Sequence, residues 1–161
     1  MLKEMKKNDF IISKTNLKGQ ITYTNKIFME MSEYSEAELL DKPHSLLRHP
    51  QMPKAVFQHL WNHITKQQEV FAYVLNKTKH NNEYWVYANI TASLDENDKH
   101  TGYYSVRRAP NPKALEIIKP LYAKMLEIEK RSGVNASMNV LVELLKEKGV
   151  CYDEFIISIQ E

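Results

Sequence analysis

The chain has 161 residues, of which 43% are hydrophobic and 26% charged, and its formal net charge is +2. This size and composition are typical of one globular domain with a small appendage, and the charge argues against a nucleic-acid or membrane-surface footprint. Cys151 is the only cysteine, which excludes an intrachain disulfide and is typical of a reducing compartment. No apolar run approaches the ~20 residues of a membrane span and no signal peptide is evident, so we expect a cytosolic protein.

The first quarter of the chain predicts a hairpin followed by two short helices. The stretch FIISKTNLKGQITYTN contains two short strands that turn at Lys18-Gly19. Asn25 stands where the N-cap of the first helix is expected, and Ser35 with Glu38 three residues later forms a capping box for the second.

A stiff segment, HSLLRHPQMP, follows and places Arg48 and His49 between two leucines and a proline. Pro50 and Pro53 exclude both a regular helix and a central strand here. The sequence therefore predicts a shaped connection with a cationic tip. A guanidinium can grip a phosphate group with two hydrogen bonds, whereas an Arg48 that is simply exposed on a loop is the alternative.

The middle of the chain changes from a helical period to a period of two. KAVFQHLWNHITKQ predicts a longer helix, in which Trp61 walls a pocket or packs in the core. EVFAYVLNKTK, NEYWVYANITASL and TGYYSVRRA then predict three consecutive antiparallel strands. Together these elements predict an α+β domain with a five-stranded antiparallel sheet and short helices on one face.

The second of these three strands has two different faces. One face carries a small, apolar set that suits a flat ring lying over the sheet: Tyr84, Val86, Ala88 and Ile90. The other carries an aromatic and polar set that suits docking of a helix or a second subunit: Trp85, Tyr87, Asn89 and Thr91.

The sequence PNP divides the chain into a domain at residues 8–109 and a helical segment at residues 110–161. Leu115, Ile118, Tyr122 and Met125 predict the apolar stripe of an amphipathic helix, and a second helix ends near Gly149. So much apolar surface must pack on the sheet, on a second copy of the chain or on a partner.

The motifs ITYTN, YSEAELLDKPH, LLRHPQMP, FQHLW, EYWVYANIT and GYYSVRR resemble, in this order, the PAS sensor domain of the aerotaxis and energy-taxis receptor family. The resemblance covers about residues 8–109. It implies a PAS fold, FAD bound non-covalently, and reporting of redox or oxygen state to chemotaxis signalling. The chain contains neither membrane spans nor a signalling rod. It is therefore similar to the stand-alone PAS protein of a split system, a homodimer that works beside a membrane-bound chemotaxis receptor.

The resemblance also implies a set of cofactor-binding residues. Arg48 and His49 match the Arg-His pair that FAD binding requires in the family, and Asn76 matches its strand asparagine. Gln51 stands where the family usually has an acidic residue; its amide oxygen can also accept from a ribose hydroxyl. The predicted site is completed by four further residues: His44, Trp61, Asn25 and Arg107.

Arg107 is predicted either to face solvent or to stabilise an anionic form of the flavin. Arg107 lies on the last predicted strand in phase with Tyr103 and Ser105. In the second alternative this part of the strand contacts the edge of the flavin.

Two other functions stay open. The first is a cofactor-free module for dimerisation or receptor docking, for which Gln51 and Val70, in place of a frequent family tryptophan, indicate a lost pocket. The second is a haem-binding gas sensor with an axial histidine at His59, His63 or His44.

We predict no metal site, since HLWNH supplies only two histidines at i, i+4 and no third ligand is evident. We also predict no enzyme, because the four isolated glycines form neither a P-loop nor a dinucleotide fingerprint.

Overall fold

A computed structural model describes residues 1–161, which form one curled six-stranded sheet and six α-helices. The strands are β1 Leu2–Lys3, β2 Phe10–Asn16, β3 Ile21–Thr24, β4 Val70–Lys77, β5 Glu83–Leu94 and β6 His100–Arg108. The helices are α1 Lys26–Ser32, α2 Glu36–Leu39, α3 Lys54–Ile64, α4 Pro112–Ser132, α5 Val134–Lys148 and α6 Tyr152–Gln160, with a 3₁₀ helix at His44–Leu47.

Five strands form an antiparallel sheet in the order β4-β5-β6-β2-β3, which confirms the predicted α+β fold. The prediction lacked a sixth strand. β1 pairs in parallel with the first residues of β5, where Leu2 lies opposite Glu83 and Lys3 opposite Tyr84. A strand of two residues carries no period that a sequence pattern can reveal.

Local sequence signals place the first turns and helices. Gly19 has φ +80° in the turn between β2 and β3, which suits a residue without Cβ. Asn25 caps α1, because its Oδ1 accepts from the Phe28 N–H at 3.1 Å. Ser35 and Glu38 form the predicted capping box at α2. These caps satisfy N–H groups that no helical carbonyl can reach.

Two of the three C-terminal helices, α4 and α6, pack on the outer face of the sheet of their own chain, and α5 packs on α4. The Tyr122 hydroxyl of α4 donates to the Tyr73 carbonyl at 2.7 Å, and the rings of Tyr122 and Trp85 lie 6.0 Å apart. The Tyr73 hydroxyl in turn donates to the Ile156 carbonyl of α6. Of the three predicted partners for these helices, the structure shows the sheet.

One hydrophobic core of 30 buried residues runs through the whole chain and includes Tyr73 and Val86 of the sheet together with Met125 and Phe155 of the helices. The sheet ends at Arg108 and α4 begins at Pro112. The division at residue 109 stays a prediction. No helix of the chain combines the length and the apolar character needed to cross a membrane.

Candidate functional site

A cavity of about 380 Å³ lies between the inner face of the sheet and α3. The predicted small, apolar face of β5 contributes to it, and α3 forms the opposite wall. The apolar lining residues from the sheet and from α3 are Phe57, Leu60, Trp61, Ile64, Val74, Ala88, Ile90 and Tyr103. Since this volume falls within the roughly 300–1,000 Å³ of small-molecule sites, the cavity can hold a flat ring system.

The segment fenced by prolines forms a strap, residues 43–49, across one side of this cavity. At one end Pro43 pairs with Gln20, and the His44 N–H donates to the Gly19 carbonyl at 3.0 Å. At the other end Arg48 pairs with Asn76 of β4. The strap is thus tied by backbone contacts to both sides of the sheet, which fixes the side chains that it presents.

Three cationic residues line the cavity and no carboxylate does: Lys18 in the β2–β3 turn, Arg48 in the strap and Arg107 in β6. Like charges around a low-dielectric space repel one another and attract an anion or the acceptor edge of a ligand. The lining therefore favours a ligand with negative charge or exposed acceptor atoms.

Arg107 is the cation buried most deeply, with 3% of its surface exposed. Its guanidinium donates to the Ser13 hydroxyl and to His44 Nε2, and its carbon lies 4.6 Å from the centre of the Phe28 ring. Arg107 has no ion pair with a carboxylate, and its Nε is buried without a hydrogen-bond partner. The predicted solvent-facing alternative for Arg107 is wrong.

His44 is the neutral partner of Arg107. Its Nε2 accepts from Arg107 Nη1 at 3.0 Å, which requires an unprotonated nitrogen. Burial, reinforced by the Arg107 charge, lowers the pKa of His44 to about 3. Burial also lowers the pKa of Arg107 to about 10, so Arg107 stays charged at neutral pH. The inner end of the cavity thus presents one unpaired positive charge beside one neutral imidazole.

Three more predicted residues line the cavity. The Arg48 guanidinium stacks on the Phe57 ring at 4.0 Å, and Asn76 is buried in β4. Trp61 lines the cavity with 45% of its surface exposed, so the alternative of core packing is wrong for Trp61. An aromatic face and a stacked guanidinium can flank a planar ligand, and an amide can both donate to it and accept from it.

The other three predicted residues lie outside the cavity lining. His49 Nε2 contacts the Glu83 carboxylate at 3.0 Å, and its Nδ1 accepts from the Gln51 N–H. Gln51 itself is exposed. The Asn25 side chain caps α1 and donates to the Phe10 carbonyl. Their proposed contact with a cofactor stays a prediction, and His49 has a structural contact that anchors the strap to β5.

Of the three histidines considered for haem, only His44 lines the cavity. His59 and His63 are absent from its lining, and the His59 ring contacts the Tyr152 ring of α6 at 4.1 Å. Helical spacing turns residues 59 and 63 away from the face of α3 that carries residues 57, 60, 61 and 64. His44 does line the cavity, but its Nε2 accepts from Arg107.

Three residues at or beside the cavity were not predicted from the sequence as site residues: Ser13, Lys18 and Phe28. Ser13 lies fully buried on the inner face of β2, where it accepts from Arg107. A polar residue in phase with the buried Ile11 was the available signal. Lys18 and Phe28 gave none, because a turn lysine and a buried helix phenylalanine are ordinary features.

Comparison with known proteins agrees with this architecture. The family described as "PAS fold" matches residues 21–107. The aerotaxis receptor of Escherichia coli (strain K12) is 36% identical over 112 residues, which are 70% of this chain and 22% of that protein. A nitrogen fixation regulatory protein of Klebsiella pneumoniae is 29% identical over 97 residues, 60% of this chain and 20% of that protein. The chain therefore spans about a fifth of the length of these relatives.

Among solved structures, a light-oxygen-voltage domain superposes with a TM-score of 0.59 at 21% sequence identity, covering 69% of this chain and 83% of that one. This likeness concerns the fold, including the curled sheet and the helices on its inner face. Since the family match extends over more than half of the chain, the protein belongs to the PAS-fold family.

Proposed function

We propose that this protein is a cytoplasmic redox sensor whose PAS cavity holds FAD non-covalently and whose signal passes to a chemotaxis-type receptor. The observation that carries the proposal is the buried, unpaired Arg107 beside neutral His44 at the inner end of a cation-lined cavity. The likeness to the aerotaxis receptor supports the sensory and signalling role. The proposal includes no catalytic turnover.

The residues present fit a flavin. Apolar side chains of α3 and β5 would form two walls for a planar ring, and Asn76 and Arg107, which line the same cavity, would supply hydrogen bonds to it. Lys18 and Arg48 supply positive charge for the phosphate groups of a dinucleotide. When bound, the flavin supplies reversible electron transfer that changes its own charge.

The chain's own contribution is to bind and orient this group and to respond to its charge. Because Arg107 lacks a carboxylate partner, a more negative ligand strengthens its interaction at the inner end of the cavity. Arg107 shares hydrogen bonds with Ser13 and His44, so a change at Arg107 reaches β2 and the strap directly. Such a local electrostatic change can bias the packing of the elements around it.

Haem has less support than a flavin here, because His59 and His63 lie outside the cavity lining and His44 Nε2 accepts from Arg107. The competing function is a docking module without a cofactor. Our proposal also includes a homodimer and a membrane-bound receptor as partner. The unpaired buried charge of Arg107 favours a ligand, since a cavity kept only for packing gains nothing from it.

Titration of the purified, flavin-stripped protein with FAD, followed by flavin fluorescence, tests the proposal. Ala88→Leu fills the cavity from β5 and is expected to weaken FAD binding at least tenfold. Thr91→Leu adds similar bulk on the opposite face of the same strand and is the matched control; it is expected to bind as the wild type does. Circular dichroism verifies that both variants are folded.

Absence of saturable FAD binding by the wild-type protein would overturn the redox-sensor proposal in favour of the docking module. Equal binding by the Ala88→Leu and wild-type proteins would place the flavin outside this cavity. An intense Soret band in the purified protein would instead support the haem alternative.

A further inference from the structure

The N-terminal end of α3 is capped by a residue from the far end of the chain. Pro53 at the N-cap offers no side-chain hydrogen bond, and the first turn of α3 contains no acidic residue. Instead, Glu129 of α4 accepts from the backbone N–H of Lys54 through Oε1 at 2.9 Å and from that of Ala55 through Oε2 at 3.2 Å. A carboxylate at this point satisfies two free donors and lies at the positive end of the helix dipole.

The helix that Glu129 caps is also the wall of the cavity. The face of α3 that carries Phe57 and Trp61 lines it, and the Arg48 guanidinium of the strap stacks on Phe57. The strap leads directly into α3 through Met52, which is buried against β4 with its sulfur 3.3 Å from the Leu75 nitrogen. A displacement of the first turn of α3 therefore moves both the wall and the residue that stacks on it.

The C-terminal helices contact α3 a second time, on its other face. The ring of His59 lies 4.1 Å from that of Tyr152 in α6, and α5 packs along α3. Helix α3 thus has the cavity on one face and the C-terminal helices on the other. Two sites that share one rigid element are coupled when that element has two positions.

We propose that Glu129 is a positioning residue of the cavity: its carboxylate holds the first turn of α3, so that ligand binding in the cavity and docking of α4 affect one another. By linkage, a ligand that stabilises the docked position of α3 stabilises the Glu129 contact, and loss of that contact weakens ligand binding by the same factor. The identity of the ligand rests on the proposed function; the contact itself does not.

Hydrogen–deuterium exchange of the full chain tests this inference with Glu129→Gln. Glutamine keeps the volume but removes the charge and one of the two acceptor oxygens. In the ligand-free protein, the amides of the first turns of α3 are expected to exchange about fivefold faster, a factor typical of a lost cap. Amides of β2 and β3 are expected to stay unchanged. Glu127→Gln is the matched control, because Glu127 is exposed on the same helix and pairs only with Arg131 at 3.6 Å.

A second readout separates positioning from plain structural support. In the wild-type protein, FAD is expected to slow exchange at the cavity and also at residues 125–132 of α4. In Glu129→Gln at a saturating FAD concentration, protection at the cavity is expected to persist while protection at residues 125–132 is lost.

Unchanged exchange of α3 in Glu129→Gln, or an equal acceleration across the whole chain, overturns the inference. If the wild-type protein takes up no FAD, the proposed function fails, and exchange in the ligand-free protein still decides the role of Glu129.

Discussion

Replacing Arg107 by methionine is the sharpest perturbation of the cavity, because it removes the buried charge while keeping an unbranched side chain of similar length. Arg107 has hydrogen bonds to Ser13 and His44 but no carboxylate partner. If the proposed function holds, a guanidinium in this position stabilises the bound ligand more than it stabilises the fold. We expect Arg107→Met to leave the free energy of unfolding of the ligand-free protein nearly unchanged and to weaken FAD binding at least tenfold.

The expected change in the free energy of unfolding follows from two opposing contributions. Burial lowers the pKa of Arg107 from 12.5 to about 10, which corresponds to about 3 kcal/mol against the charged form at about 1.4 kcal/mol per pH unit. Loss of two hydrogen bonds from a charged donor costs about 1.5 kcal/mol each. Ser13 Oγ and His44 Nε2 already lie 3.4 Å apart and can pair once Arg107 is gone. The two contributions therefore cancel to within about 1 kcal/mol.

Urea unfolding of the ligand-free protein, followed by tryptophan fluorescence, measures the free energy of unfolding, and FAD titration measures the affinity for FAD. Arg108→Met is the control, since the neighbouring Arg108 is exposed and stacks on Tyr87 at 5.2 Å, on the outer face of the sheet. It is expected to change FAD affinity little. A loss of more than about 3 kcal/mol of stability in Arg107→Met, as for a broken buried ion pair, would show that Arg107 supports the fold. Unchanged FAD affinity would refute its role at the ligand.

Three further predictions concern the strap and the helices. Arg48→Ala and His49→Ala are each expected to lower flavin occupancy in a folded protein, measured as released flavin fluorescence. Arg48→Ala removes the stacking on Phe57, and His49→Ala removes the contact with Glu83. Wild-type occupancy in both variants would contradict the assignment of the site. Folding lowers the pKa of His44 from 6.5 to about 3. Between these two pH values the unfolded chain binds a proton at His44 that the folded chain does not bind. The free energy of unfolding is therefore expected to fall as pH falls from 6.5 towards 3. His44→Asn should flatten that slope in urea titrations across this range; an equal slope in both proteins would contradict the assignment. Tyr122→Phe removes the 2.7 Å hydrogen bond from the Tyr122 hydroxyl to the Tyr73 carbonyl. It should lower the free energy of unfolding by about 1–2 kcal/mol. A change below about 0.3 kcal/mol would show that water takes the place of the hydroxyl.

The sequence by itself determined the local elements of this protein and the faces of its strands. Asn25 and Ser35 cap the helices they were predicted to cap, and the change of period at Glu69 marks the start of the three-stranded meander. Ala88 and Ile90 of the predicted small, apolar face of β5 line the cavity, and Trp85 faces α4. These features are predictable because caps and periodicity depend on residues within a few positions of each other.

Only the tertiary structure decided which side chains meet. Arg107 and His44 are 63 positions apart, and Glu129 caps a helix that begins 75 positions earlier. Sequence reasoning left Arg107 undecided between solvent and the cavity, because a strand phase fixes the face of a residue but not what covers that face. The curl of the sheet and the path of the strap bring Ser13, His44 and Arg107 together. Contacts of this kind depend on the packing of the whole chain, which no local pattern encodes.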